Sequence, residues 1–81
     1  MTDHIDGIIA GMSEAQKREL LGDCFAEGNA LYSGLLNPVD MDLWQKGLIH
    51  ERPNDARIYE ATVDGLAVRA RLEARKALGE G

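Results

Sequence analysis

The sequence predicts a small α+β domain that is mostly helical, with three or four helices and a two-stranded β-hairpin. Three observations support this prediction. Apolar residues recur at helical spacing over most of the chain, capping residues precede these stretches, and two strand-like segments flank a turn-rich loop. The chain has 81 residues, which is enough for one domain, residues 1–81, with a thin core.

The first predicted helix runs from Thr2 to Met12 and is capped by Thr2 or Asp3. Four apolar residues lie at helical spacing along it and form a stripe: Ile5, Ile8, Ile9 and Met12. A helix this short needs a surface on which to pack. The stripe therefore either covers the core of the domain or forms the seam of a homodimer.

A second helix is predicted to begin after Ser13, because Ser13 and Gln16 have the spacing of a capping box. Apolar residues continue at helical spacing beyond it, so residues 14–36 form either one helix or two helices that meet near Gly28-Asn29. We favour two, because glycine and asparagine suit a helix boundary better than a helix interior. Cys24 lies on the apolar stripe, and we expect it in the core rather than in a reactive site.

Asn37-Pro38 predicts the start of a third helix, because asparagine caps well and proline fits the first helical position. Asp40 then lies in the first turn, where the helix dipole favours a carboxylate. Gly47 is expected to end this helix, since glycine readily adopts the backbone conformation that terminates one.

Two short strands are predicted at residues 48–51 and 57–61, and the intervening residues 52–56 are rich in turn formers, so the pair indicates a hairpin. Thr62 is expected to cap a final helix at about residues 63–78. The spacing of its apolar residues predicts an inward side made of Val63, Leu66, Ala67 and Ala70.

The formal net charge of −5 is unevenly distributed along the chain. Residues 1–45 carry two basic and eight acidic side chains, a balance of −6, whereas residues 46–81 carry seven basic and six acidic ones. The first half would therefore repel a phosphate backbone. The sequence contains no acid–base pair, nucleophile motif, metal-ligand cluster or glycine-rich phosphate loop, so we expect neither an enzyme nor a metal or cofactor.

The single cysteine excludes an intrachain disulfide and suits a reducing compartment. No apolar run reaches the roughly 18 residues that span a bilayer, and the acidic residues near the start do not suit a signal peptide. We therefore expect a cytoplasmic protein that does not enter a membrane.

The stretch from Leu43 to Arg52 reads LWQKGLIHER. It resembles the passage that leads from the recognition helix into the first wing strand of MarR- and PadR-like winged helix-turn-helix regulators. Asp55-Ala56-Arg57 matches the acid–arginine turn of MarR-like wings, and Thr62-Val63-Asp64-Gly65 is similar to the start of the helix that follows. The resemblance covers about residues 43–69. It implies a winged-helix-like fold with the hairpin as the wing.

The helix that corresponds to the recognition helix differs from the family in its charge. It carries Asp40 and Asp42, and carboxylates repel phosphates. Asp40 also stands where the helix-turn-helix pattern has an apolar residue. We therefore favour a protein partner with a basic surface, and the chain would act as a regulator, for example as an inhibitor or modulator of a nucleic-acid-binding machine. The acidic helical face predicted to bind it comprises Asp40, Asp42, Trp44 and Gln45.

The alternative is a MarR-like transcriptional regulator that contacts DNA through the wing, with Lys46, Arg52 and Arg57 as the contacts that the resemblance implies. The two arginines could equally form ion pairs with neighbouring carboxylates on an exposed hairpin. A structural subunit of a larger assembly is a third hypothesis.

Overall fold

The computed structural model describes residues 4–79, which form four α-helices and a three-stranded antiparallel sheet. This confirms the prediction of a mostly helical α+β fold with a hairpin. The elements in chain order are α1 (His4–Ala10), α2 (Glu14–Leu20), β1 (Leu31–Tyr32), α3 (Pro38–Gln45), β2 (Ile49–Arg52), β3 (Asp55–Ala61) and α4 (Val63–Ala77).

The sheet has the order β1-β3-β2, so the longest strand, β3, lies in the centre. β2 and β3 form the predicted hairpin, with a tighter connection than expected because Arg52 already pairs with Asp55. Tyr59 is paired on both sides, with Leu31 of β1 and with Glu51 of β2. The third strand, β1, was not predicted from the sequence.

The prediction of one or two helices over residues 14–36 is wrong. α2 ends at Leu20, and the chain continues through two short 3₁₀ turns, Asp23–Phe25 and Ser33–Leu35, with β1 between them. Gly28 has a φ of +86°, a left-handed conformation that ends helical progression. The chain reverses there and brings β1 against β3, where its backbone groups gain hydrogen-bond partners.

The capping box at the start of α2 is confirmed. The Gln16 amide donates to Ser13 Oγ and the Ser13 amide donates to Gln16 Oε1, both at 3.1 Å. The two capping residues predicted for α1, Thr2 and Asp3, lie outside the described residues.

One apolar core lies between the helices and the sheet. Its buried residues come from helices, strands and loops alike: Ile9, Met12, Leu20, Phe25, Leu43, Leu48, Ile49, Val68 and Leu72. Ile5 and Ile8 pack against this core. The prediction of a dimer seam at Ile5, Ile8, Ile9 and Met12 is therefore wrong for the two buried residues, and the stripe covers the core instead.

The inward side of α4 also differs from the prediction. Val63 is 85% exposed and Ala70 is exposed, whereas Val68, Leu72 and Gly65 are buried. The rotation of the helix is set at its first turn, where Gly65 packs against the carbonyl group of Leu48. A side chain at position 65 would overlap that carbonyl oxygen.

Thr62 joins the start of α4 to the end of α3. Its hydroxyl accepts from the Gly65 amide at 3.0 Å and donates to the Gly47 carbonyl at 2.7 Å, and its amide donates to the Leu48 carbonyl at 3.0 Å. The predicted cap is confirmed, and it also fixes the position of α3 relative to α4. Among the described residues, no helix combines the length and apolar composition needed to cross a membrane.

Changing Gly65→Ala is expected to lower the free energy of unfolding by about 1–3 kcal/mol, because the added methyl group collides with backbone rather than with a flexible side chain. Urea denaturation followed by circular dichroism measures the change. The matched control is Gly7→Ala in α1, where a methyl group would meet open space. It should instead stabilise the helix by about 0.5–1 kcal/mol. Equal effects of the two changes would contradict the packing assigned to Gly65.

Candidate functional site

The start of α3 is held by a second capping box, which uses Asp40. The Asp40 amide donates to Asn37 Oδ1 at 2.9 Å, and the Asn37 amide donates to Asp40 Oδ2 at 3.0 Å. Asp40 has no exposed surface. The prediction that Asp40 belongs to a partner-binding face is therefore wrong, because its carboxylate points inward and its hydrogen bonds are made to the helix start.

The burial of Asp40 and Leu43 on one side of α3 turns the opposite side to solvent. Trp44 is 43% exposed and Met41 is 39% exposed, and Gln45 is also exposed. Residues 41, 44 and 45 lie on one side of a helix because their spacing is three and four. Met41 was not predicted as a site residue, although its spacing of three from Trp44 was a visible signal.

Asp42 is exposed beside these residues, and Gln16 Nε2 of α2 donates to its Oδ2 at 3.4 Å. The exposed surface of this helix, which we call the α3 face, comprises Met41, Asp42, Trp44 and Gln45. It differs in character from the predicted acidic face, since it is centred on two large apolar side chains and carries one carboxylate.

The end of α3 is anchored as firmly as its start. Lys46 Nζ donates to the Gly11 carbonyl at 3.2 Å, and the Leu48 amide donates to the Leu43 carbonyl at 3.0 Å. Gly47 has a φ of +77°, which turns the chain from α3 towards β2 and confirms the predicted helix end. Lys46, predicted as a DNA contact, is thus engaged with the turn after α1.

The two other predicted DNA contacts lie on the hairpin and form ion pairs with neighbouring strand residues. Arg52 Nε lies 3.4 Å from Glu60 Oε1, and Arg57 Nε lies 3.2 Å from Asp55 Oδ1. The Arg57 amide also donates to Asp55, and this hydrogen bond is the main reason that the pKa of Asp55 is lowered. Both pairs are partly open to solvent, and such pairs are weak, so a phosphate could compete for either arginine.

Two carboxyl groups, Glu19 of α2 and Asp40 of α3, lie where α2 packs against α3. The pKa of Glu19 is raised, first by hydrogen bonding to Asp40 and then by burial, while a hydrogen bond from Asn37 Nδ2 at 3.3 Å opposes the rise. Oδ1 of Asp40 is buried and has no hydrogen-bond partner among the described residues. A protonated Glu19 would offer this oxygen a hydrogen-bond donor, which is the physical reason that the pKa of Glu19 is raised.

Cys24 and His50 carry the remaining groups with reactive potential. The pKa of the Cys24 thiol is raised, chiefly by burial and then by the charge of Glu19, which makes the thiolate nucleophile harder to form. His50 Nε2 lies 3.9 Å from Glu60 Oε1 across the hairpin. Within residues 4–79, no group of three or more histidine, cysteine, aspartate or glutamate side chains could hold a metal ion.

Comparisons with protein-family models, curated proteins and solved structures found no significant match to this chain. The function of the α3 face is therefore inferred from its own chemistry. A tryptophan and a methionine offer a large, adaptable apolar surface, and Asp42 and Gln45 supply polar groups beside it. Such a surface is suited to binding another macromolecule.

Glu19→Gln is expected to stabilise the protein at neutral pH by about 0.5–1.5 kcal/mol, because the amide provides a permanent donor for Asp40 where Glu19 must first take up a proton. Because the pKa of Glu19 is raised, the folded state binds the proton of the Glu19 carboxyl group more tightly than the unfolded state does. Stability should therefore fall as the pH rises from the ordinary value of 4.5 through the raised pKa of Glu19. The variant should lack this part of the pH dependence, which thermal unfolding between about pH 4 and pH 8 would measure.

The control for this experiment is Glu27→Gln, which removes the same charge from an exposed position. It should leave the pH dependence of the unfolding temperature as in the wild type. If Glu19→Gln also preserves that pH dependence, protonation of Glu19 is not coupled to folding.

Proposed function

We propose that this chain is a non-enzymatic protein-binding module, which docks its α3 face into an apolar pocket on a partner with a basic surface. The observation that carries the proposal is the exposure of Trp44 and Met41 side by side on a short helix whose other side is buried. Exposed apolar side chains occur singly on most protein surfaces, but a pair with tryptophan at its centre is typical of interfaces.

Trp44 is suited to be the anchor of such an interface. Tryptophan is enriched among the few residues that supply most of the binding energy, and each such residue contributes at least about 2 kcal/mol. The neighbouring Met41 has a flexible thioether side chain that adapts to the shape of a pocket. Trp44 and Met41 can enter a pocket of the partner without disturbing the protein core, because neither side chain is buried in the free domain.

The rigidity of α3 supports the same function. The helix is capped at its start by Asn37 and Asp40, and its last turn is anchored through Leu43 and Lys46. A surface that is already ordered loses less conformational entropy on binding. The α3 face is therefore prepared for a partner without rearrangement.

The charge near the α3 face indicates the partner. Asp42 lies within the face, and residues 1–45 as a whole carry a balance of −6. A partner with basic residues around an apolar pocket would associate faster and in a defined orientation. Proteins that bind nucleic acids present such basic surfaces, so inhibition or modulation of a nucleic-acid-binding machine is the specific form that we propose.

A second candidate is DNA binding through the hairpin, in keeping with the resemblance to MarR- and PadR-like regulators. The observation that favours it is the position of Arg52 and Arg57 on one exposed hairpin, in ion pairs that a phosphate could replace. Against it, each of the three proposed contacts already has an intramolecular partner, and the α3 face offers a carboxylate where a base-reading helix would meet phosphates.

The protein-binding proposal predicts that Trp44→Ala weakens partner binding about 30-fold or more, since an anchor residue supplies at least about 2 kcal/mol. Affinity capture from the native host with quantitative mass spectrometry identifies the partner, and titration of the purified partner gives the affinity. The matched control is Tyr32→Ala, which removes an exposed aromatic ring outside α3 and should leave the affinity unchanged. Circular dichroism verifies that both variants are folded.

Asp42→Lys should also weaken that complex, and the loss should shrink at high salt because the contribution is electrostatic. A partner captured equally well by wild type, Trp44→Ala and Asp42→Lys would show that the α3 face is not the binding surface.

The DNA hypothesis makes an opposite prediction. Duplex DNA titrated at low salt should bind with an affinity that falls steeply with salt, and Arg52→Ala/Arg57→Ala should abolish it. We expect no such binding. Tight, salt-dependent binding lost in the double variant but retained in Trp44→Ala would establish the second candidate instead.

A further inference from the structure

A groove between α2 and α4 has a charge opposite to that of the chain as a whole. It has a volume of about 650 Å³. The α2 side contributes Lys17, Arg18 and Leu21, and the α4 side contributes Leu72, Arg75 and Lys76; Glu14 also lines it. None of these residues belongs to the α3 face.

The groove exists because the two helices are joined at one end. Arg69 of α4 donates from one guanidinium nitrogen to the carbonyls of Leu20 and Gly22, the latter at 2.8 Å. These bonds hold α4 against the end of α2. Leu21, half-buried, and Leu72, buried, form the apolar part of the groove lining.

The basic side chains at the groove come from the last turns of both helices, Lys17 and Arg18 of α2 and Arg75 and Lys76 of α4. The helix dipole explains why each last turn carries cations. The dipole does not explain why the cations of both helices line one groove, because α2 and α4 lie far apart in the sequence and meet only in the fold.

The concentration of charge is large for so acidic a protein. The groove holds four of the nine lysine and arginine residues and one of the fourteen aspartate and glutamate residues. Lys17 lies 3.4 Å from Glu14, and Arg75 lies 3.1 Å from Asp6. Arg18 and Lys76 are exposed and form no ion pair within residues 4–79. Two cations are therefore available to a ligand.

We propose that this groove binds a short acidic peptide segment of a partner protein. Its carboxylates pair with Arg18 and Lys76, and one of its apolar side chains packs on Leu21 and Leu72. The opposite charges orient the peptide in the groove. The apolar contact distinguishes this peptide from a simple polyanion, which has no apolar side chain to bury.

The composition of the groove favours a peptide over other anions. No aromatic side chain lines it, so a nucleic acid base has no ring on which to stack. A duplex would extend over the acidic remainder of the surface, whereas the carboxylates of a short peptide bind beside the groove cations, and charges beyond about 8–10 Å are largely screened at physiological salt. Small-molecule sites are mostly apolar, but only two leucines line this groove.

The test uses the full chain and a fluorescein-labelled peptide of about ten residues, made of glutamate and aspartate with one central leucine; about ten extended residues cover some 33 Å. Fluorescence anisotropy should show saturable binding. Arg18→Glu/Lys76→Glu should weaken it at least about tenfold, equivalent to about 1.4 kcal/mol. Replacing the central leucine of the peptide by serine should weaken it as well, and amide NMR shifts should centre on Leu21 and Leu72.

The matched control is Arg52→Glu/Arg57→Glu, which changes the net charge equally but lies on the hairpin. It should bind the peptide like the wild type, and so should Trp44→Ala, which separates this proposal from the function of the α3 face. Absence of saturable binding, equal weakening by the groove and hairpin variants, or shifts centred elsewhere would overturn the proposal. So would labelled duplex DNA that occupies the groove and displaces the peptide.

Discussion

The buried carboxylate of Asp40 sets the rotation of α3, and the surface chemistry of the domain depends on that rotation. Asp40 closes the capping box with Asn37 and lies on the inner side of the helix together with Leu43. Met41 and Trp44 are turned outward as a consequence. A buried carboxylate is tolerated only when hydrogen bonds compensate for lost hydration. The capping bonds satisfy one oxygen of Asp40, and the raised pKa of Glu19, caused first by hydrogen bonding to Asp40, favours a protonated carboxyl beside the other oxygen. A helix that is acidic in sequence thereby presents an apolar face.

Features made by neighbouring residues could be predicted from the sequence. The capping box at Ser13 and the caps at Asn37 and Thr62 are all where the sequence predicts them, because each capping bond joins residues three apart. Features made by distant residues could not. Leu31 and Tyr32 fit a helical stripe as well as a strand, and only pairing with Tyr59 and Ile58 of β3 selects the strand. The rotation of α4 likewise depends on a contact between Gly65 and Leu48 that no local spacing reveals.

In the candidate site, too, the local features could be predicted from the sequence and the features that depend on distant residues could not. Asp42, Trp44 and Gln45 are exposed, in keeping with their assignment to one helical face. The sequence groups Asp40 with them as a first-turn carboxylate, and its burial follows from the packing of α2 against α3. The α3 face and the basic groove lie on different helices and differ in charge, so the small domain offers two separate surfaces to other molecules.

Site-specific photo-cross-linking in the native host tests the central claim most directly. A benzophenone amino acid at position 45 would lie within the α3 face without replacing Trp44 or Met41, and the same group at position 57 would report on the hairpin. If the α3 face binds the partner, position 45 should give a discrete protein cross-link and position 57 none. A cross-link to nucleic acid from position 57, with no protein cross-link from position 45, would contradict it.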